Sequence, residues 1–181
     1  MKRILAIGGS NSTQSINKQL AVYAANKIEN VEVIALDMND FELPLYGIDI
    51  ENQSGIPENA HKLNQLIKSA DGIVISLAEH NGTYAAGFKS TFDWLSRINP
   101  KVWSEKPMIL MATSPGARGG MSVLSTAVAA FPRFGANIIA EFSLPSFQNN
   151  FKEEGITNAE YNNDLNSKLK SRTSLSNPTG L

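Results

Sequence analysis

The sequence predicts an α/β fold built on an open, five-stranded parallel sheet with helices on both faces. Three observations carry that expectation. Short apolar runs alternate with amphipathic helical patterns from one end of the 181 residues to the other. The runs are near-continuously apolar rather than alternating, as in strands buried on both faces. The alternation is strict, and a strand–helix–strand order joins parallel neighbours through crossovers.

The first strand is expected over Arg3–Gly8, followed by a hydroxyl-rich loop and a helix over Ile16–Ile28. The second strand, Val31–Asp37, leads into Asn39–Gly55, which shows no periodicity and is longer than a usual connection. That stretch reads either as a lid or partner contact, or as a packed surface loop around Pro44 and Tyr46. Pro57 suits the first position of the next helix, Glu58–Ala70, whose Leu63, Leu66, Ile67 and Ala70 share a face. The third strand, Gly72–Ala78, precedes a helix over Ala86–Ile98 carrying Phe88, Phe92 and Leu95 at helical spacing. The fourth strand, Pro107–Thr113, is followed by a helix over Met121–Phe131, and the fifth is Asn137–Phe142. A last helix over Asn158–Lys170 takes Asn158 as its cap. One domain over residues 1–170 is expected, with a mobile tail over 171–181.

Five strands and five helices at this length favour the flavodoxin-like three-layer sandwich, with strand order 2-1-3-4-5. Its ligand crevice lies at the carboxyl ends of strands 1 and 3, where the order reverses.

Composition narrows the function. Hydrophobic residues make up 42% and charged residues 18%, as in an ordinary globular chain. A net charge of −1 gives no footprint for nucleic acid or an anionic membrane surface. No apolar run approaches the roughly 18 residues of a membrane span. The N-terminus enters a strand without a leader pattern, so a cytoplasmic location is expected. The absence of cysteine excludes disulfides, thiolate nucleophiles and cysteine-ligated metals. Two histidines, His61 and His80, argue against a histidine metal centre. No metal ligand and no catalytic side chain is expected.

Three loops fall at the carboxyl ends of strands 1, 3 and 4. The first places Gly8, Gly9, Ser10, Ser12, Thr13 and Ser15 where a strand ends and a helix begins. Free amides and the positive end of the helix dipole suit a phosphate there. The loop lacks the spacings of a triphosphate loop or a dinucleotide site, and alone it argues only for an anion. Its other reading is a tight turn with Ser15 as helix cap. The second loop, Ala78-Glu79-His80-Asn81-Gly82-Thr83-Tyr84, holds an Asn-Gly turn dipeptide that needs no ligand. The third is Thr113-Ser114-Pro115-Gly116-Ala117-Arg118-Gly119-Gly120. Convergence of all three on one crevice points to a phosphorylated planar heterocycle.

These motifs resemble the NAD(P)H-dependent FMN reductase family, which also includes quinone, azo-dye and chromate reductases. The family's first loop reads Gly-Ser-x-Arg-x-x-Ser-x-Asn, against Gly9 to Asn17 here. Its second reads Pro-Glu-Tyr-Asn-Gly-Ser before a helix with Leu-Lys-Asn-x-x-Asp-Trp, against Ala78 to Thr83 and Phe88 to Trp94. Its third, Ser-x-Gly-x-x-Gly-Gly, corresponds to Ser114 to Gly120.

The resemblance implies that Ser10, Ser15, Ile16 and Asn17 hold the FMN phosphate, with Ser12 in the arginine's place. It implies that Glu79, His80, Asn81 and Gly82 line the isoalloxazine, largely through the backbone. Ser114, Pro115, Gly116, Gly119 and Gly120 would border the other side of the ring and the ribityl chain. The implied activity passes hydride from NADPH or NADH through flavin N5 to a quinone, flavin, azo compound or other small acceptor. A homodimer or homotetramer is implied too. Phe88, Phe92, Trp94, Leu95 and Trp103 either offer apolar surface beyond what one sheet face needs or serve as ordinary core and rim packing.

Three departures stand out: Ser12 for arginine, His80 for tyrosine and Ala78 for proline. Ser12 removes a charge-assisted contact to the phosphate, so that either the loop hydroxyls and the helix N-terminus suffice or Lys18 or Arg118 reaches in. Glu79 is read as a solvated loop carboxylate rather than a general acid. The competing function is a flavodoxin-type FMN electron carrier without pyridine-nucleotide activity. A receiver-like regulatory domain would need clustered acids where Gly8-Gly9 and Ala78-Glu79 stand.

Overall fold

The computed structural model describes residues 1–170; the tail expected over 171–181 lies outside the described residues. In chain order the elements are β1 (Lys2–Gly9), α1 (Ile16–Asn26), β2 (Val31–Leu36), α2 (Ile48–Ser54), α3 (Glu58–Ser69) and β3 (Gly72–Leu77). They continue with β4 (Glu79–His80), β5 (Thr83–Tyr84), α4 (Ala86–Ile98), β6 (Pro107–Thr113) and α5 (Met121–Ala130). The chain then forms β7 (Asn137–Leu144), α6 (Phe147–Asn150), β8 (Phe151–Lys152), β9 (Gly155–Ile156) and α7 (Ala159–Lys170).

The main sheet has the order β2-β1-β3-β6-β7, all parallel. This is the expected 2-1-3-4-5 arrangement, with β4–β5 and β8–β9 added as two short antiparallel hairpins. Side chains alternate across the strands and feed two cores. Leu5, Ile7, Ile73, Ile75 and Leu110 pack against α3, α4 and α5. Ile4, Ala6, Val74, Ile109 and Met111 pack against α1 and α7. Gly9 is in register with Leu77, and Leu77 with Ala112, so three strand ends open side by side.

The Asn39–Gly55 stretch is not an unstructured lid. It opens within a 3₁₀ turn, Met38–Asp40, and contains the helix α2. Its polar sequence hides the helix, because the bonds that hold it come from α4. Trp94 Nε1 donates to the Pro44 carbonyl at 2.8 Å, and the Tyr46 amide donates to Ser90 Oγ at 2.9 Å. Arg97 Nε donates to Glu51 at 2.9 Å, and the Tyr46 hydroxyl donates to the same carboxylate at 3.0 Å. Pro57 caps α3 from just outside rather than occupying its first position. Asn158 caps α7, its Oδ1 accepting from the Glu160 and Tyr161 amides.

Of the two readings of the α4 aromatics, the structure bears out core packing. Phe88, Phe92, Trp94, Leu95 and Trp103 are all buried. Phe131, just after α5, draws the rings inward, lying 5.6 Å from Phe92 and 4.8 Å from Trp103. The exposed large apolar side chains among the described residues, apart from Met1, are Leu45, Ile48, Ile50 and Met121.

Candidate functional site

A cleft of about 190 Å³ lies at the carboxyl ends of β1, β3 and β6. Ser10, Ser12, Gln14, Ser15, Ile16 and Asn17 line it from the first loop and α1. Ala78, Glu79 and His80 line it from the second loop, and Thr113, Ser114 and Pro115 from the third. Nine of the fourteen residues picked out by sequence therefore share one cleft. Asn81, Gly82, Gly116, Gly119 and Gly120 are not on its wall. Gln14, Ala78 and Thr113 are additions, and only their adjacency to the motifs marked them.

The first loop is built around Gly8. A Cβ on that residue would stand 2.6 Å from the Lys18 Cα, so only glycine lets α1 begin this close to the sheet. Ser10 Oγ accepts from the Ser12 amide at 3.1 Å, and Ser12 Oγ from the Gln14 amide at 3.2 Å. Ser15 Oγ accepts from the Lys18 amide at 3.1 Å, capping α1 as its sequence position suggested. Each hydroxyl is thus fixed as an acceptor and retains its own proton to donate. The amides of Ile16 and Asn17 precede the first intrahelical bond of α1 and add two donors at the positive end of its dipole. This donor set suits a phosphate.

The Asn17 side chain is engaged within the fold. Its Oδ1 accepts from Ser76 Oγ at 2.6 Å and from the Thr113 amide at 3.1 Å. Its Nδ2 donates to the Thr113 carbonyl at 3.2 Å. The side chain is consumed in joining α1 to β3 and β6, which leaves the main-chain amide for a ligand.

Of the two alternatives the structure favours the hydroxyls and the helix N-terminus, since neither Lys18 nor Arg118 lines the cleft. Lys18 Nζ pairs with Asp37 at 2.5 Å, beyond the end of β2. That hydrogen bond, with another from the Asn39 amide, holds the Asp37 carboxyl below the usual carboxylate range. Arg118 is exposed and donates to Ser122 Oγ at 3.2 Å.

The second loop is the β4–β5 hairpin, pairing Glu79 with Tyr84 and His80 with Thr83. Asn81 and Gly82 turn it with φ of 51° and 81°, the positive pair that Asn-Gly supplies in tight hairpins. His80 is exposed. Glu79 is not a solvated carboxylate: it is half-buried, and its Oε2 accepts from the Val123 amide in the first turn of α5 at 3.0 Å. Tyr84 lies nearly parallel to Phe131 at 6.1 Å, and burial raises its phenol pKa.

The third loop folds against the end of β7. Gly116 O accepts from the Ser146 amide at 2.9 Å, Ser114 O from the Phe147 amide at 3.0 Å, and Gly119 O from Ser143 Oγ at 3.0 Å. Gly119 has φ of 58°, and a Cβ there would meet Ser143 Oγ and stand 2.9 Å from the Pro145 nitrogen. Gly119 and Gly120 therefore shape the loop from behind the cleft wall.

No helix among the described residues is long and apolar enough to cross a membrane. The chain is similar to the quinone reductase of Escherichia coli, 35% identical over 79 residues, or 44% of this chain and 42% of that protein. The alignment thus spans under half the length of that relative. The chain is also similar to an NADPH azoreductase of Bacillus sp., 29% identical over 137 residues, 76% of this chain and 72% of that protein. The flavoenzyme NAD(P)H:(acceptor) oxidoreductase FerB from Paracoccus denitrificans shares the fold, with a TM-score of 0.76, 21% identity and 97% of each chain covered. Residues 2–149 match the family described as NADPH-dependent FMN reductase. The β-strand order, the three converging loops and this match agree, and the chain belongs to the NADPH-dependent FMN reductase family.

Proposed function

We propose that the chain is an NAD(P)H-dependent FMN oxidoreductase. It would pass reducing equivalents from NADPH or NADH to a small acceptor such as a quinone, azo compound or free flavin. The observation that carries this reading is the donor cradle at the N-terminus of α1, where Ser10, Ser12 and Ser15 each keep a proton to give. When bound, FMN supplies the hydride chemistry, and the protein supplies binding, orientation and electrostatics. Ser10, Ser12 and Ser15 with the Ile16 and Asn17 amides would hold the phosphate. The β4–β5 hairpin and Ser114–Pro115 would wall the ring from two sides. The quinone reductase and azoreductase among its relatives support these acceptor classes.

Titration of the protein with FMN tests the reading. A yellow complex with a raised melting temperature is expected, and anaerobic NADPH should bleach it promptly. A complex that stays yellow with both NADPH and NADH would instead indicate an electron carrier.

The active form is proposed to be a homodimer or homotetramer. The support is the exposed Leu45, Ile48 and Ile50 on a segment held firmly by α4, an apolar patch left open on one protomer. Light scattering during size-exclusion checks the assembly. The nicotinamide nucleotides it would consume are intracellular, which supports a cytoplasmic location.

A further inference from the structure

Glu79 ties one wall of the cleft to a helix that does not line it. It opens β4, pairs with Tyr84 and lines the cleft, while its carboxylate reaches the first turn of α5, 44 residues away. Gly120 precedes α5 in the left-handed region, with φ of 75°, and has no side chain to cap the helix. The cap therefore comes from the β4–β5 hairpin, Glu79 Oε2 accepting from the Val123 amide at 3.0 Å. Tyr84 holds the same hairpin at the other end of α5, against Phe131. The hairpin is thus joined to the start of α5 by a side-chain hydrogen bond and to Phe131, just after α5, by a ring contact.

Charge gives this link a second meaning. Among the residues lining the cleft, Glu79 is the one acid, and neither lysine nor arginine is among them. The positive end of α5 offsets its charge only in part. A flavin gains negative charge on two-electron reduction, so a fixed carboxylate on a residue lining the cleft disfavours the reduced form relative to the oxidised one.

We propose that Glu79 is a positioning residue of the flavin site: it locks the β4–β5 hairpin to α5 and holds the bound flavin's potential down. The lock stands on the hydrogen bond alone, whereas the effect on potential rests on the FMN reading above.

Two variants separate these roles. Glu79→Gln keeps an oxygen that accepts from the Val123 amide but removes the charge. Glu79→Ala removes both. In flavin-free protein, hydrogen exchange at the Val123 amide should speed up about tenfold in Glu79→Ala and stay near wild type in Glu79→Gln. In the FMN complex, Glu79→Gln should bind reduced FMN about tenfold more tightly relative to oxidised FMN than wild type does, a rise of about 30 mV in the two-electron potential. Unchanged Val123 exchange in Glu79→Ala overturns the lock. A Glu79→Gln potential equal to wild type overturns the charge role. Failure of FMN to bind wild type would overturn both the functional reading and the charge role, while the exchange measurement would still decide the lock.

Discussion

Asn17 and Thr113 hold each other through two hydrogen bonds, amide to carboxamide oxygen at 3.1 Å and carboxamide nitrogen to carbonyl at 3.2 Å. The side chain thus partners the backbone at the end of β6, and Ser76 adds a third bond at 2.6 Å. Replacing Asn17 with alanine leaves these buried groups without partners. The expected loss is about 3 kcal/mol, or a fall of roughly 6–12 °C in melting temperature. A thermal melt of the flavin-free variant measures it, and a shift under about 2 °C would contradict the assignment.

Ser12 stands where the family pattern that the first loop resembles has arginine, and neither lysine nor arginine lines the cleft. Ser12→Arg should tighten FMN binding about tenfold by adding charge-assisted bonds to the phosphate. Fluorescence titration gives the dissociation constants. The gain should shrink as salt is raised.

Two glycines with positive φ should respond very differently to alanine. At Gly82 a Cβ meets nothing within 4 Å, so Gly82→Ala costs only the strain of its conformation, about 1–2 kcal/mol. At Gly119 the same atom would run into Ser143 and Pro145, so the third loop has to move. Gly119→Ala should lower stability by about 3 kcal/mol or more and weaken FMN binding, as urea unfolding and titration would show.

The Lys18–Asp37 pair makes a pH-dependent contribution whose sign is fixed by Asp37. Its folded pKa lies below the unfolded value, so the stabilisation is present above the ordinary carboxylate range and is lost as pH falls through the depressed value. Both side chains are about a third exposed, so solvent limits the pair to roughly 0.5–1 kcal/mol. Wild type should exceed Asp37→Asn by that amount near about pH 7 and converge with it near about pH 2. Urea unfolding at both pH values checks this.

Trp94 is fully buried, and its indole N–H satisfies the Pro44 carbonyl. Trp94→Phe should cost about 1–3 kcal/mol through the orphaned carbonyl and the lost ring volume. Proteolysis should then cut first within residues 41–55, as peptide mapping would reveal.

The fold was legible wherever a local pattern carried it. The near-continuous apolar strands gave the sheet order, and the boundaries of α4 and β6 follow directly from their spacing. The Ser15 and Asn158 caps and the Asn81-Gly82 turn were legible for the same reason, since each acts within a few residues of itself. What escaped depends on partners distant in the chain. Glu79 bonds Val123, Asn17 bonds Thr113, and α2 is held by Glu51 bonding Arg97. No periodicity announces such pairs. Phe131 hid the fate of the α4 aromatics in the same way, because a ring beyond α5 decides whether they face inward.

The bonds that fasten Pro44, Tyr46 and Glu51 to α4 fix the geometry of this face of the protein. They leave a second hollow of about 440 Å³, bounded by Asn11, Phe41, Leu43 and Gly87, already open in the lone protomer. Whatever settles there meets a finished surface, and little conformational entropy has to be surrendered on contact. Encounters at this face should therefore resemble rigid docking, with lifetimes set by fit rather than by the folding of a flap.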